Sequence, residues 1–182
     1  MSQLKRLIEE PKTPLFYVAL LRILLGVLFI VTWAENLDKD LYTPNGLQGF
    51  LEFQLNEHSL PWYESFIRDV IIPARDVFAP FQLVTELMMG IFLLVGFLTR
   101  PMALGGFFFV LNTYLIAIGT GEWLWSYYMI MASLALVGVT GAGQAIGVDM
   151  FLKARYDALL QRFFKRGEET EGTPKLENAE TA

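Results

Sequence analysis

Four apolar stretches, each close to the length that crosses a lipid bilayer, constrain this chain more than any other feature. They cover residues 15–33, 77–98, 102–118 and 123–140. A hydrocarbon core about 30 Å thick needs about 20 apolar residues at a rise of about 1.5 Å per residue. Hydrophobic residues make up 54% of the 182 positions, which leaves little sequence for a second, soluble domain. We therefore predict one integral membrane domain.

The connections between these stretches predict an all-α, four-helix membrane bundle. Residues 99–101 join the second stretch to the third, and residues 119–122 join the third to the fourth, so each pair is adjacent and antiparallel. The connection 35–76 contains two apolar runs at helical spacing, which predict two short external surface helices. The runs are Leu47, Phe50, Leu51 and Leu55, followed by Tyr63, Phe66, Ile67, Val70 and Ile71. On the second surface helix, Glu64 and Arg68 are expected to pair one turn apart.

The distribution of basic residues predicts the orientation. Ten Lys and Arg residues lie before the first stretch, in the turn at 99–101 or after residue 147, whereas three lie in the connection 35–76. By the positive-inside rule, both termini are cytoplasmic, the connection 35–76 is external, and the chain resides in the cytoplasmic membrane. The predicted segments are a cytoplasmic N-terminus at 1–14, a membrane domain at 15–147, a cytoplasmic amphipathic interfacial helix at 148–166 and a disordered tail at 167–182.

The composition excludes several kinds of site. The chain has no cysteine, which excludes disulfides, thiolate catalysis and cysteine-ligated iron–sulfur clusters. Its one histidine, His58, lies outside the apolar stretches, so a histidine-ligated haem, zinc or copper site within the membrane lacks ligands. We predict no metal site and no cofactor held by visible ligands. A quinone ring could stack among the deeper aromatic side chains Phe107, Phe108 and Phe109. The expected partners are membrane lipid and either other subunits of a membrane complex or further copies of this chain, with no nucleic acid.

Arg22, Glu86 and Asn112 are polar side chains placed well inside the apolar stretches. A charge there costs at least about 2.5–3.5 kcal/mol, so it normally faces the bundle interior and finds a partner. Measured from the predicted cytoplasmic end of each stretch, Arg22 and Glu86 differ in depth by about four residues, or about 6 Å. This predicts a direct pair within an internal polar cluster that Asn112 completes. The cluster is either a structural clamp or a binding or proton-handling site, and no residue is assigned as catalytic.

Four motifs occur in an order that resembles the DoxX/DoxD family of small four-helix membrane proteins. They are LLRILLGVLFI in the first stretch, GLQGFLEF in the long connection, ELMMGIFLLVGFLTRP across the second stretch and its turn, and TGAGQAIGVD after the fourth stretch. The resemblance covers about residues 15–150 and is closer to the DoxD-type membrane subunit of thiosulfate:quinone oxidoreductase than to the shorter DoxX proteins. Besides Arg22 and Glu86, the family-motif positions are Gly26, Gly90, Gly96, Thr99, Arg100, Gly141, Gly143 and Asp149. One departure is the segment 33–36, which reads WAEN where family members often have a basic residue.

The resemblance implies a membrane subunit of a quinone-linked redox complex, which in the DoxD-type case oxidises a sulfur compound. The alternative is a non-catalytic accessory subunit packed against a larger membrane protein complex, and the missing metal ligands favour it. A small transporter is less favoured, because four helices without an internal repeat offer no pair of elements for alternating access.

Overall fold

A computed structural model describes residues 15–56 and 60–152 of the chain. The predicted N-terminal segment 1–14, the predicted tail 167–182 and all but the first five residues of the predicted interfacial helix 148–166 lie outside these ranges. Residues 148–152 are helical, as expected for the start of that helix.

The described residues form helices joined by turns and contain no strand. The helices are α1 (Leu15–Asp38), α2 (Pro44–Leu55), α3 (Pro61–Phe66), α4 (Arg75–Val95), α5 (Thr99–Ala117) and α6 (Trp125–Thr140). A π-helical turn, Ile67–Ile71, continues α3, and a 3-10 turn, Ala142–Gln144, follows α6. Helices α1, α4 and α5 are long and apolar enough to cross a membrane, and α6 is a shorter apolar helix. The predicted all-α membrane bundle with two surface helices is confirmed.

The helix boundaries follow from local sequence signals. Thr43 caps α2, because its hydroxyl accepts a hydrogen bond from Gly46 N at 3.1 Å, and Pro44 then occupies the first helical turn. Helix α3 likewise begins at a proline, Pro61. Helix α4 ends at Gly96, whose φ of 71° lies in the left-handed region that glycine adopts without a Cβ clash. These signals place α4 and α5 on either side of a tight turn.

The four long helices form a square in which each packs against two neighbours. Helix α1 packs against α4 and α6, and α5 packs against the same two helices. Two glycines set the α1–α4 contact. A Cβ on Gly26 would lie 2.5 Å from Leu94 N, and a Cβ on Gly90 would lie 2.8 Å from Ile30 Cγ1. Any larger side chain at either position would separate the helices, so these glycines fix how α1 and α4 align.

The bundle has two ends, which we name by what they carry. The turn end holds the α4–α5 turn and residues 141–149. The loop end holds residues 39–74 and the α5–α6 connection. A core inside the bundle joins residues of α1, α4, α5 and α6, including Phe29, Leu93, Val110 and Leu134. A second core at the loop end packs α2 and α3 against α4 and α5, and it contains Leu47, Leu51, Leu55, Tyr63, Ile67, Ile71, Ala79 and Ile116.

Candidate functional site

Glu86, near the middle of α4, is fully buried at 0% exposure. The Tyr42 hydroxyl donates a hydrogen bond to Glu86 Oε2 at 2.7 Å. The Asn36 amide donates to both carboxyl oxygens over longer distances, 3.4 and 3.5 Å. Within residues 15–56 and 60–152, no Lys or Arg side chain forms an ion pair with this carboxyl. We call Asn36, Tyr42 and Glu86 the Glu86 cluster.

Three separate parts of the chain build the Glu86 cluster. Asn36 lies in the last turn of α1, Tyr42 lies between α1 and α2, and Glu86 faces them from α4. A hydrogen bond from Trp33 Nε1 to Leu83 O at 3.2 Å joins α1 to α4 one turn away. The end of α1 is therefore held against α4 at the level of the carboxyl, which keeps both donors in place.

The Glu86 cluster combines an ionisable carboxyl with two hydrogen-bond donors. Burial, and then the hydrogen bond to Glu86, raise the pKa of the Tyr42 phenol above its ordinary value. Tyr42 therefore keeps its proton at neutral pH and acts as a donor. A carboxyl that is buried without a cation is costly to charge, so it can take up and release a proton when its surroundings change. Proton handling is the chemistry that this arrangement offers.

Arg22 lies at the turn end and is 1% exposed. Its Nη2 donates a hydrogen bond to Ile146 O at 2.5 Å. Its Nε and Nη1 are buried without a hydrogen-bond partner among the described residues. The guanidinium occupies a slot between two glycines, since a Cβ on Gly96 would overlap Nη1 and a Cβ on Gly147 would lie 2.6 Å from it. The slot depends on the absence of a side chain at both positions.

Asp149 fastens the segment after α6 to the α4–α5 turn. Its two carboxylate oxygens accept hydrogen bonds from Leu98 N at 2.8 Å and Thr99 N at 2.9 Å. Asp149 N donates in turn to Gly96 O at 2.9 Å. A carboxylate that accepts from the first N–H groups of a helix acts as its N-terminal cap and complements the helix dipole. Asp149 therefore caps α5 from a distant part of the sequence.

Most of the family-motif positions gather around this cap. A Cβ on Gly143 would overlap the Thr99 hydroxyl and the Asp149 carboxylate, and a Cβ on Gly141 would lie 3.1 Å from Arg100 Nε. The set at the turn end is Arg22, Gly96, Thr99, Arg100, Gly141, Gly143 and Asp149. Of the other three positions, Gly26 and Gly90 lie at the α1–α4 contact, and Glu86 lies in its own cluster. The motif residues thus have close mutual contacts within the fold.

The predicted pair of Arg22 and Glu86 is wrong. Arg22 contacts Gly96, which lies ten residues beyond Glu86 on α4, or about 15 Å along the helix axis. The expected offset of about 6 Å assumed that α1 and α4 end at the same level. The contact of Gly26 with Leu94 instead places the first two turns of α1 beyond the end of α4. The two charged side chains consequently lie at different depths with different partners.

Asn112 does not join either group. The Tyr63 hydroxyl, on α3, donates to Asn112 Oδ1 and to Asn112 O, the latter at 3.1 Å. Burial raises the pKa of Tyr63 to about 12, so the phenol remains a donor. Asn112 therefore anchors a surface helix to α5, and the predicted single polar cluster divides into three separate sites.

Sequence reasoning missed four partners, namely Asn36 and Tyr42 of Glu86, Ile146 of Arg22 and Tyr63 of Asn112. Asn36 carried a usable signal, because Arg22, Phe29 and Asn36 are spaced seven residues apart and so share one face of α1. Asn36 also belongs to the segment 33–36 that departs from the family pattern. Tyr42 and the carbonyl of Ile146 had no such signal, since neither lies in a periodic segment.

The side chains at these sites limit which metal or cofactor the protein could hold. In the ranges that the structure describes, no group of three His, Asp or Glu side chains is placed to hold a metal ion. Tyr42 and Asn36 are hydrogen-bond donors of the kind that bind a quinone carbonyl, but in this structure both donate to Glu86 itself, so such a ligand would have to take the place of one of these hydrogen bonds.

A family model described as DoxX matches residues 17–119, which is more than half of the chain. No curated protein and no solved structure matches it. The matched range contains Arg22 and the whole Glu86 cluster, whereas Ile146 and Asp149 lie beyond it.

Proposed function

Because the chain belongs to the DoxX family of membrane proteins, we propose that it is a membrane subunit of a quinone-linked redox complex with Glu86 as its proton-handling group. One observation carries this proposal. Glu86 is fully buried in a spanning helix, has no cationic partner among the described residues and is hydrogen-bonded to the Tyr42 phenol. Ionisable groups inside a membrane are expensive and are commonly functional.

The roles follow from the donor set. A bound quinone supplies the redox chemistry, taking up two electrons and two protons on reduction to the quinol. On binding, Tyr42 or Asn36 would exchange its hydrogen bond to Glu86 for one to a carbonyl oxygen, which orients that oxygen beside the carboxyl. Glu86 would hold a proton at Oε2 and exchange it with that oxygen. The electrons would come from another subunit, and the DoxD resemblance points to a sulfur compound as their source.

We also propose residence in the cytoplasmic membrane with both termini in the cytoplasm and the loop end outside. The 10-to-3 division of basic residues supports this orientation. Single cysteines at Ser2 and Ser59 test it with an impermeant thiol reagent in intact cells. Labelling is expected at position 59 alone, and labelling at position 2 alone would reverse the orientation.

The functional test replaces Glu86 by Gln, which keeps the shape of the side chain and removes the ionisable group. Glu122→Gln is the matched control. Glu122 also accepts a hydrogen bond from a tyrosine, Tyr127, at 2.6 Å, but it is exposed at the loop end. Quinone reduction is measured per assembled complex, with complex quantified on native gels. We expect Glu86→Gln to abolish turnover and Glu122→Gln to retain it, so full turnover in an assembled Glu86→Gln complex would refute the proposed role.

A non-catalytic accessory subunit is the second candidate, and one observation favours it. The hydrogen bonds of Glu86 connect α4 to the end of α1 and to the following connection, so the same residues also stabilise the contact between these segments. If their role is structural, Glu86→Gln and Tyr42→Phe should reduce the amount of assembled complex, and turnover per complex should stay constant. If Glu86 handles protons, the amount of assembled complex should stay constant and the turnover per complex should fall.

A further inference from the structure

The helical residues 61–71 carry two apolar stripes side by side. The inner stripe, Tyr63, Ile67 and Ile71, packs into the loop-end core at 2–7% exposure. The outer stripe consists of Trp62, Phe66 and Val70, which are 63%, 41% and 48% exposed. Both stripes have a spacing of four residues, so each runs along the helix. The chain therefore uses one apolar face against the protein and presents a second one outward.

The remaining side of this segment is polar. Glu64 and Arg68 form an ion pair at 2.9 Å, and Ser65 is exposed beside them. At about 100° per residue, the two apolar stripes together occupy about half of the helix circumference, and the polar residues occupy the rest. This division into an apolar and a charged half is typical of helices that lie in the plane of a membrane interface.

The outer stripe continues into the lipid-facing side of α4. Exposed apolar residues recur along α4 at intervals of three and four residues, namely Val77, Phe81, Val84, Met88, Ile91 and Val95. Since α4 is a membrane-spanning helix, this row faces the hydrocarbon core. Three residues, 72–74, separate the π-helical turn from α4. The outer stripe is thus connected to the exposed apolar face of a helix long enough to span the membrane by less than one helical turn of chain.

We propose that Trp62, Phe66 and Val70 insert into the bilayer interface at the loop end, so that lipid covers them. Glu64 and Arg68 then face the headgroups and water. The surface segment is a membrane-embedded element beside the bundle, and it is not a loop standing free in solvent. Burial of these three apolar side chains stabilises this position, because the exposure of apolar surface to water is unfavourable.

The absence of native cysteine allows a direct test by spin labelling. Phe66→Cys and Val70→Cys place labels on the outer stripe, and Ser65→Cys and Arg68→Cys are the matched controls on the polar side. Each full-length variant is reconstituted in vesicles of phosphatidylethanolamine and phosphatidylglycerol. Power saturation then measures collision with oxygen, which concentrates in lipid, and with a neutral nickel chelate, which remains in water. Outer-stripe labels should collide several-fold more with oxygen than with nickel, and the controls should show the reverse preference.

Three outcomes would overturn the proposal. Nickel accessibility at positions 66 and 70 equal to that of the controls would place the stripe in water. Low collision with both reagents would show that protein covers it, either a second copy or another subunit. If the labelled variants do not fold, a chain that retains Trp62 alone, with its other tryptophans changed to Phe, replaces them. Absence of Trp62 quenching by lipids brominated on their acyl chains would then also reject insertion.

Discussion

Replacement of Gly96 by Ala should destabilise the protein far more than the same change at another left-handed glycine. Gly96 has φ 71° and faces the Arg22 guanidinium, with the hypothetical Cβ 2.6 Å from Arg22 Cζ and 2.9 Å from Gly147 Cα. Gly121 has φ 77° and nothing within 4 Å of its hypothetical Cβ. The two positions share the backbone penalty and differ in what an added methyl group would meet.

These contacts determine how much free energy of unfolding each variant should lose. A left-handed alanine costs about 1–2 kcal/mol at either position. At Gly96 the guanidinium must also move, which loses a charged hydrogen bond to Ile146 O worth about 1.5–3 kcal/mol and overpacks the slot by about 1–3 kcal/mol. Gly96→Ala should therefore exceed Gly121→Ala by about 2.5–6 kcal/mol in lost free energy of unfolding.

Reversible unfolding in mixed detergent micelles, with dodecyl sulfate as denaturant, measures both free energies on one scale. The same pair of variants is repeated in an Arg22→Ala background, where the guanidinium is gone and the excess at Gly96 should shrink to what the Gly147 contact alone contributes. Equal losses for Gly96→Ala and Gly121→Ala in the wild-type background would refute the placement of Arg22 in the glycine slot. An excess that survives undiminished after removal of Arg22 would assign the penalty to the contact with Gly147.

Three further predictions concern the other polar groups. Asp149→Ala should cost about 1–3 kcal/mol of unfolding free energy, because it leaves the N–H groups of Leu98 and Thr99 without their acceptor, and Asp149→Asn should cost less; no loss in either variant would contradict the cap. Arg22→Met and Glu86→Gln should have effects that add to within about 0.5 kcal/mol, since the two side chains do not meet, and a larger coupling would restore the direct pair. The Tyr63 pKa of about 12 exceeds the unfolded value of about 10, so the native state holds a proton that the unfolded chain loses in that interval. Stability should thus fall between about pH 10 and about pH 12, and the decline should be shallower in Tyr63→Phe.

The architecture was predictable because it depends on signals that are local in the sequence. Apolar stretches of membrane length placed α1, α4, α5 and α6, and short connections set their antiparallel order. Helical periodicity located α2 and α3 within the long connection. The expected pair of Glu64 and Arg68 is confirmed at 2.9 Å, since it requires only residues one turn apart on one helix. Each of these features needs no knowledge of how distant segments align.

The alignment of helices was not predictable in the same way. Depth counted from the ends of apolar stretches treats α1 and α4 as level, whereas the Gly26 and Gly90 contacts shift them. An error of a few residues in this alignment was enough to pair Arg22 with the wrong partner. The cap on α5 was not predictable either. Asp149 lies 50 residues after Thr99 in the sequence, so no local pattern at the start of α5 indicates that this carboxylate caps it.

The short α6 imposes a hydrophobic mismatch on the surrounding bilayer. Its 16 residues span about 24 Å, whereas the hydrocarbon core is about 30 Å thick. Trp123 and Trp125 are exposed at one end, as expected of interfacial anchors, and the chain leaves the helix at Gly141 at the other. Tilting would only reduce the thickness that the helix spans. A span shorter than the hydrocarbon core is accommodated by bilayer thinning, by snorkelling of flanking side chains or by oligomerisation. We expect lipid beside α6 to thin by several ångströms, at a cost of fractions of a kcal/mol per Å. The protein should gather lipids with short acyl chains along this one side and deform the membrane asymmetrically.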